Sequence, residues 1–172
     1  LAHKKISQQF QKREVKKTYS ALTWGHWKKE KGLINFPIGR NKKDPTSFKI
    51  DSRGKKSLTG YSVQRQFQHL ALVSFFPKTG RTHQIRVHAS SLGHPIFGDA
   101  KYGGGIPKAK GYLPEVSKFY KSNILELNRH ALHAEKLEFK HPIKNNIMKF
   151  KAYLPKELLN LIMLLERLYE KK

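Results

Sequence analysis

Cysteine is absent from all 172 residues, which excludes disulfide frameworks, thiolate nucleophiles and cysteine-bearing zinc sites and is compatible with a reducing compartment. Acidic residues are scarce: 12 Asp and Glu stand against 35 Lys and Arg, and only Asp44, Asp51 and Asp99 are aspartates. No uninterrupted apolar run reaches the roughly 20 residues of a membrane-spanning helix. No secretory signal opens the chain either, so a cytoplasmic protein is expected and no membrane partner. The first residue, Leu1, is already in helical pattern, from which a preceding segment is expected.

What is present is a hydrophobic fraction of 38%, enough for one folded domain with a real core. The net charge of +23 is spread along the whole chain and is not confined to a tail. A field of that sign attracts polyanions, with nucleic acid or an anionic membrane surface leading the candidates, and of these nucleic acid is the expected partner.

Periodicity changes along the chain. Ala2, Ile6 and Phe10 recur at helical spacing, predicting a helix over residues 2–12. Alternation over 15–25 and again over 32–39 predicts strands, and the polar run 40–57 a long loop with an extended piece at Phe48–Ile50. Tyr61, Val63, Arg65 and Phe67 share one side of the next strand, and Leu70 to Phe76 reads as a buried one. Ile85, His88, Ala89 and Leu92 then predict a helix over 82–92, capped by Thr82 and ended by Gly93 and Pro95. A helical piece over 114–120, a strand over 129–142, and a hairpin across Asn145-Asn146 into 147–154 follow. The last segment is a helix, with Pro155 at its start, Glu157 in its first turn and lysines at its end. Leu158, Leu161, Ile162 and Leu165, together with Leu159 and Met163, make it apolar over more than one face. It is either deeply buried or meets a partner with one side. The expected fold is α+β, a mainly antiparallel mixed sheet with flanking helices.

The stretch "TGRTHQIRVHASSLGHPIFGD", residues 79–99, concentrates two arginines, three histidines and a glutamine. His83 and Arg86, at i and i+3, can point at a shared target. His83 and His88 are five apart and do not share a helical face as metal-binding HExxH histidines do, and His130 and His133 have no matching carboxylate pattern beyond Glu135, so no metal site is expected.

"KTGRTHQIRVHASSLGHPIFGDAKYGG" (78–104), with "REVKKTYSALTWG" (13–25), "GKKSLTGYSV" (54–63) and "RHALHAEKLEFKHP" (129–142), resembles the RluA-type RNA pseudouridine synthases. The resemblance runs in the family's order from Ala2 to about Pro155. It implies a partial synthase catalytic domain over 1–155, a C-terminal helix over 156–172 packed on it, and isomerisation of uridines in structured ribosomal or transfer RNA without cofactor or metal. By the same resemblance Tyr19 is the active-site tyrosine whose ring packs on the target base and whose hydroxyl assists proton removal. Arg86 is the arginine that pairs with the catalytic aspartate and holds it ionised. Lys16, Lys78, Arg81, His83, Gln84 and Arg129 are expected to contact RNA, and Leu132 to wall the uracil pocket. Gln84 and His88 have a second reading, as hydrogen-bond ties that fix the motif. The family's aspartate lies in Arg-Leu-Asp followed by Thr-Ser-Gly, ahead of the first helix, and these 172 residues contain no such segment. Asp44 and Asp51 fall in the polar loop, and Asp99 is expected to orient the loop after the helix. The nucleophile is therefore expected upstream of Leu1, and this polypeptide alone is expected to be inactive. Two alternatives stand beside that reading: a non-catalytic basic RNA-binding domain, and a basic scaffold protein that recruits a partner through its C-terminal helix.

Overall fold

The computed structural model describes residues 1–170, with side chains through Leu168. In chain order the elements are α1 (Ala2–Gln11), β1 (Lys16–Trp24), β2 (Lys31–Ile34), β3 (Ile38–Arg40), β4 (Phe48–Ile50), β5 (Thr59–Gln66), β6 (Leu70–Pro77) and α2 (Gln84–Ser91). A 3-10 turn (Ala100–Tyr102) follows, then α3 (Ile106–Ala109), α4 (Pro114–Leu127), β7 (Leu132–Lys140), β8 (Ile147–Lys151) and α5 (Lys156–Glu170). Six strands form one sheet in the order β2-β5-β6-β1-β7-β8, antiparallel at every pairing, while β3 and β4 form a separate hairpin.

β1 lies inside the sheet, between β6 and β7, and its Ala21, Leu22 and Trp24 have no exposed surface. The indole of Trp24 sits 5.3, 5.5 and 5.0 Å from the rings of Phe97, Tyr112 and Tyr120, and its Nε1 donates to the Gly104 carbonyl at 2.8 Å. Such an arrangement buries a large apolar area while leaving the one polar atom satisfied. The helix α2 packs over β5 and β6. Leu158, Leu161, Ile162 and Leu165 of α5 join the core, leaving Leu159 and Met163 exposed.

Several expected boundaries move for identifiable reasons. The strand expected over 32–39 is two strands, because Pro37 has no N–H to give to a ladder and the chain leaves the sheet there. β5 is bulged between Val63 and Arg65, so the expected alternation from Tyr61 to Phe67 breaks. The helix expected over 114–120 runs on to Leu127, with Ser117, Tyr120, Ile124 and Leu127 buried at helical spacing. The β7–β8 connection is longer than a tight Asn-Asn turn: the His141 N–H bonds the Asn146 carbonyl across it, and Asn145 takes the left-handed conformation. The lysines expected at the end of α5, Lys171 and Lys172, lie outside the described residues.

Candidate active site

The turn between β6 and α2 is built around one amide. Gln84 is 4% exposed, and its Oε1 accepts from the Thr79 hydroxyl at 2.7 Å and the Arg81 N–H at 3.0 Å. Its Nε2 donates to the Leu58 carbonyl at 3.0 Å and the Thr59 hydroxyl at 2.8 Å. All four bonding positions of the amide are thus occupied within the protein. Gln84 therefore ties the motif to β5, in keeping with the second reading of this side chain. The closed turn also moves the helix start: the N-cap is His83, not Thr82, and no side chain caps it.

His83 stands at φ 55°, left-handed for a residue with a side chain, a conformation that persists only where its surroundings hold it. Its Nδ1 lies 2.7 Å from the Tyr102 hydroxyl. That hydroxyl also accepts the Phe48 N–H at 3.1 Å. Burial holds the His83 pKa below the ordinary value, and the neighbouring Arg86 and Lys101 cations lower it further. One turn along, Arg86 donates from Nε and one Nη to the two oxygens of Asp99, at 2.7 and 2.8 Å. Those hydrogen bonds raise its already high pKa against the opposing effect of burial. The guanidinium carbon lies 4.7 Å from the centre of the Tyr102 ring. Asp99 itself is 1% exposed and accepts the Tyr102 N–H at the start of the 3-10 turn. It thus shapes the loop, as expected, and also holds Arg86. Gly98 makes this loop possible: at φ +78° a Cβ there would lie 2.6 Å from the Arg129 carbonyl.

Tyr19 and Arg86 line one cleft of about 390 Å³. Arg81, His83, Gln84 and Leu132 share its wall, together with Lys17, Ile85 and His130. Lys16, Lys78 and Arg129 are exposed and stand outside that lining, with an Arg129 Nη donating to the Leu132 carbonyl at 2.8 Å. Leu132, beside the carbonyl that anchors Arg129, presents an apolar wall. Lys17 and His130 were not among the residues assigned to the site. Alternation along β1 puts Lys17 on the side of Tyr19, which was a usable signal; His130 had none, because its position depends on the loop that precedes β7. Burial and the Arg86 charge hold the His130 pKa below its ordinary value.

The cleft therefore joins an aromatic ring, an apolar wall and the cations Lys17, Arg81 and Arg86, a set that suits a planar heterocycle attached to an anionic backbone. No carboxylate lines it. Asp44 lies in the exposed loop, where its Oδ1 accepts from the Thr46 N–H and hydroxyl, and Asp51 accepts the Arg53 N–H. Those bonds from Thr46 lower the pKa of Asp44. Among the described residues no group of three or more His, Asp or Glu side chains is placed to hold a metal ion.

The family model described as RNA pseudouridylate synthase matches residues 1–91. "Uncharacterized RNA pseudouridine synthase YhcT" of Bacillus subtilis is 40% identical over 163 residues, covering 94% of this chain and 48% of the relative. "Ribosomal large subunit pseudouridine synthase D" of Blochmanniella floridana is 36% identical over 166 residues, covering 96% and 51%. The chain thus spans about half the length of these curated relatives. The solved structure of "Human RNA Pseudouridylate Synthase Domain Containing 1" superposes with a TM-score of 0.67 at 27% identity, covering 95% of this chain and 70% of that one.

Proposed function

The chain belongs to the RNA pseudouridylate synthase family, and on that premise we propose that its cleft holds a uridine of a structured ribosomal or transfer RNA for conversion to pseudouridine. In this isomerisation the bond from ribose C1′ to uracil N1 breaks, the base turns, and C1′ bonds to C5, whose hydrogen leaves as a proton while N1 takes one up. The reaction is redox-neutral and calls for no electron carrier. A carboxylate nucleophile assists the first cleavage, and in our reading a segment outside these 172 residues supplies it. Arg86 meets that carboxylate and keeps it ionised. Tyr19 packs its ring on the base while its hydroxyl assists removal of the C5 proton, and Leu132 excludes water while the base is detached. Arg81 and Lys17 hold the flanking phosphates, with Lys16, Lys78 and Arg129 on the approach outside.

The observation that carries this reading is the meeting of Tyr19 and Arg86 in one cleft, with Arg86 braced from behind by Asp99. A second reading, a non-catalytic RNA-binding domain, is favoured by the absence of a carboxylate from the lining. Tritium release from RNA carrying C5-labelled uridine separates the two. We expect none from the 172-residue chain, and release once the natural upstream sequence is joined to it. Tyr19→Phe and Arg86→Ala in that longer protein are expected to abolish release while RNA binding persists. Full activity in both variants would remove the assigned roles.

A further inference from the structure

We propose that Tyr102 is a positioning residue: it couples the β3–β4 hairpin to the Arg86 guanidinium, so that RNA lying on the hairpin and the base in the cleft share one rigid frame. The hairpin is a two-stranded ribbon outside the main sheet, and such a ribbon is marginal unless something anchors it. Its anchors include two from one short turn. The Tyr102 hydroxyl accepts the N–H of Phe48 in β4 at 3.1 Å, and the Lys101 ammonium donates to the Thr46 hydroxyl at 2.5 Å and carbonyl at 3.3 Å. The same turn begins at Asp99, whose carboxylate grips Arg86, and the Tyr102 ring lies against the Arg86 guanidinium at 4.7 Å. Ser90 of α2 fixes the turn from the other side by donating to the Tyr102 carbonyl at 2.9 Å.

The two regions so joined are also continuous at the surface. A groove of about 500 Å³ along the hairpin is lined by Arg40, Phe48, Arg53, Lys55 and Arg81, and Arg81 also lines the cleft. Its Nε donates to the Lys56 carbonyl at 3.2 Å, which keeps the side chain at the boundary. Phe48, with Arg40 5.4 Å from its ring centre, offers a stacking face beside cations. A tyrosine needed only for packing would require neither a hydroxyl bonded to the hairpin nor a ring against the catalytic guanidinium. Tyr102 has both, and the two can be removed one at a time.

The RNA part of this inference rests on the function proposed above, so the test uses the full-length protein with two kinds of readout. Tyr102→Phe removes the hydroxyl and keeps the ring. Hydrogen exchange at the Phe48 amide is expected to accelerate about tenfold, the effect of one lost hydrogen bond. The Arg86 Nε–H resonance should stay in place, and the RNA concentration for half-saturation should rise more than the single-turnover rate falls. Tyr102→Leu removes the ring as well. The Arg86 resonance is then expected to move, and single-turnover tritium release to slow by about tenfold, the scale of a lost cation–π contact. Unchanged Phe48 protection in the Phe variant, or equal loss of rate in both variants, overturns the coupling. If the wild-type protein releases no tritium from any RNA, the proposed function fails, and the exchange and resonance measurements still decide the coupling.

Discussion

Arg86 and Asp99 form the most enclosed ion pair among the described residues, with side chains 14% and 1% exposed. Breaking such a pair leaves a charge without a partner in a poorly solvated place, at a cost of about 3 kcal/mol. Asp99→Asn is therefore expected to lower unfolding free energy by about that amount in urea titrations. Replacing both partners by apolar residues, Arg86→Met with Asp99→Leu, should recover part of the stability and none of the activity. A double variant no more stable than Asp99→Asn would show that the pair is kept for folding. Sequence motifs singled out Tyr19 and Arg86, which line one cleft, because their neighbours in the chain resemble a known pattern. They could not locate the partner of Arg86, nor the four bonds of Gln84, because Asp99, Leu58, Thr59 and Thr79 meet those side chains only after the chain folds.

At the scale of elements, most helices and strands were legible because hydrophobic spacing changes with the type of structure. Departures fall where one residue overrules the spacing, as Pro37 does between β2 and β3, or where apolar residues occupy every face. The helix α5 is of the second kind. Its composition does not say which side meets the core; the structure buries Leu161 to 4% exposure and leaves Leu159 at 43%. Leu161→Ala is expected to cost about 2–5 kcal/mol, through lost burial and the cavity left behind. Leu159→Ala should cost less than about 1 kcal/mol. Urea unfolding with an unchanged slope measures both, and equal losses would mean that α5 packs by a different face.

Across the whole molecule, the +23 charge is only lightly compensated: the described ion pairs engage Arg53, Arg65, Arg86, Lys136 and Lys151. RNA affinity is therefore expected to fall steeply and log-linearly with added salt, and a flat response would contradict a phosphate-led interface. The same field acts on the histidines. His83, His88 and His130 all have pKa values held below the ordinary one, each chiefly by burial. His88 is completely buried, and its Nδ1 accepts from the Thr59 hydroxyl at 2.9 Å while its Nε2 donates to the Phe36 carbonyl at 3.0 Å, a pairing that needs the neutral ring. In the unfolded chain these histidines titrate near pH ~6.5. As pH falls through that value the unfolded state takes up protons that the folded state refuses. Stability is then lost progressively, until the lower folded-state values are also passed. Unfolding free energy is accordingly expected to be level above about pH 7.5 and to decline below pH ~6.5. Calorimetry in buffers of different ionisation enthalpy should find net proton uptake on unfolding at pH 6. On the proposed function, RNA bound in the cleft would bring phosphates beside His83 and His130 and favour their charged forms, so it should reduce both that uptake and the acid loss of stability. Proton release on unfolding at pH 6, or an acid sensitivity that RNA leaves untouched, would contradict this account of the cleft's electrostatics.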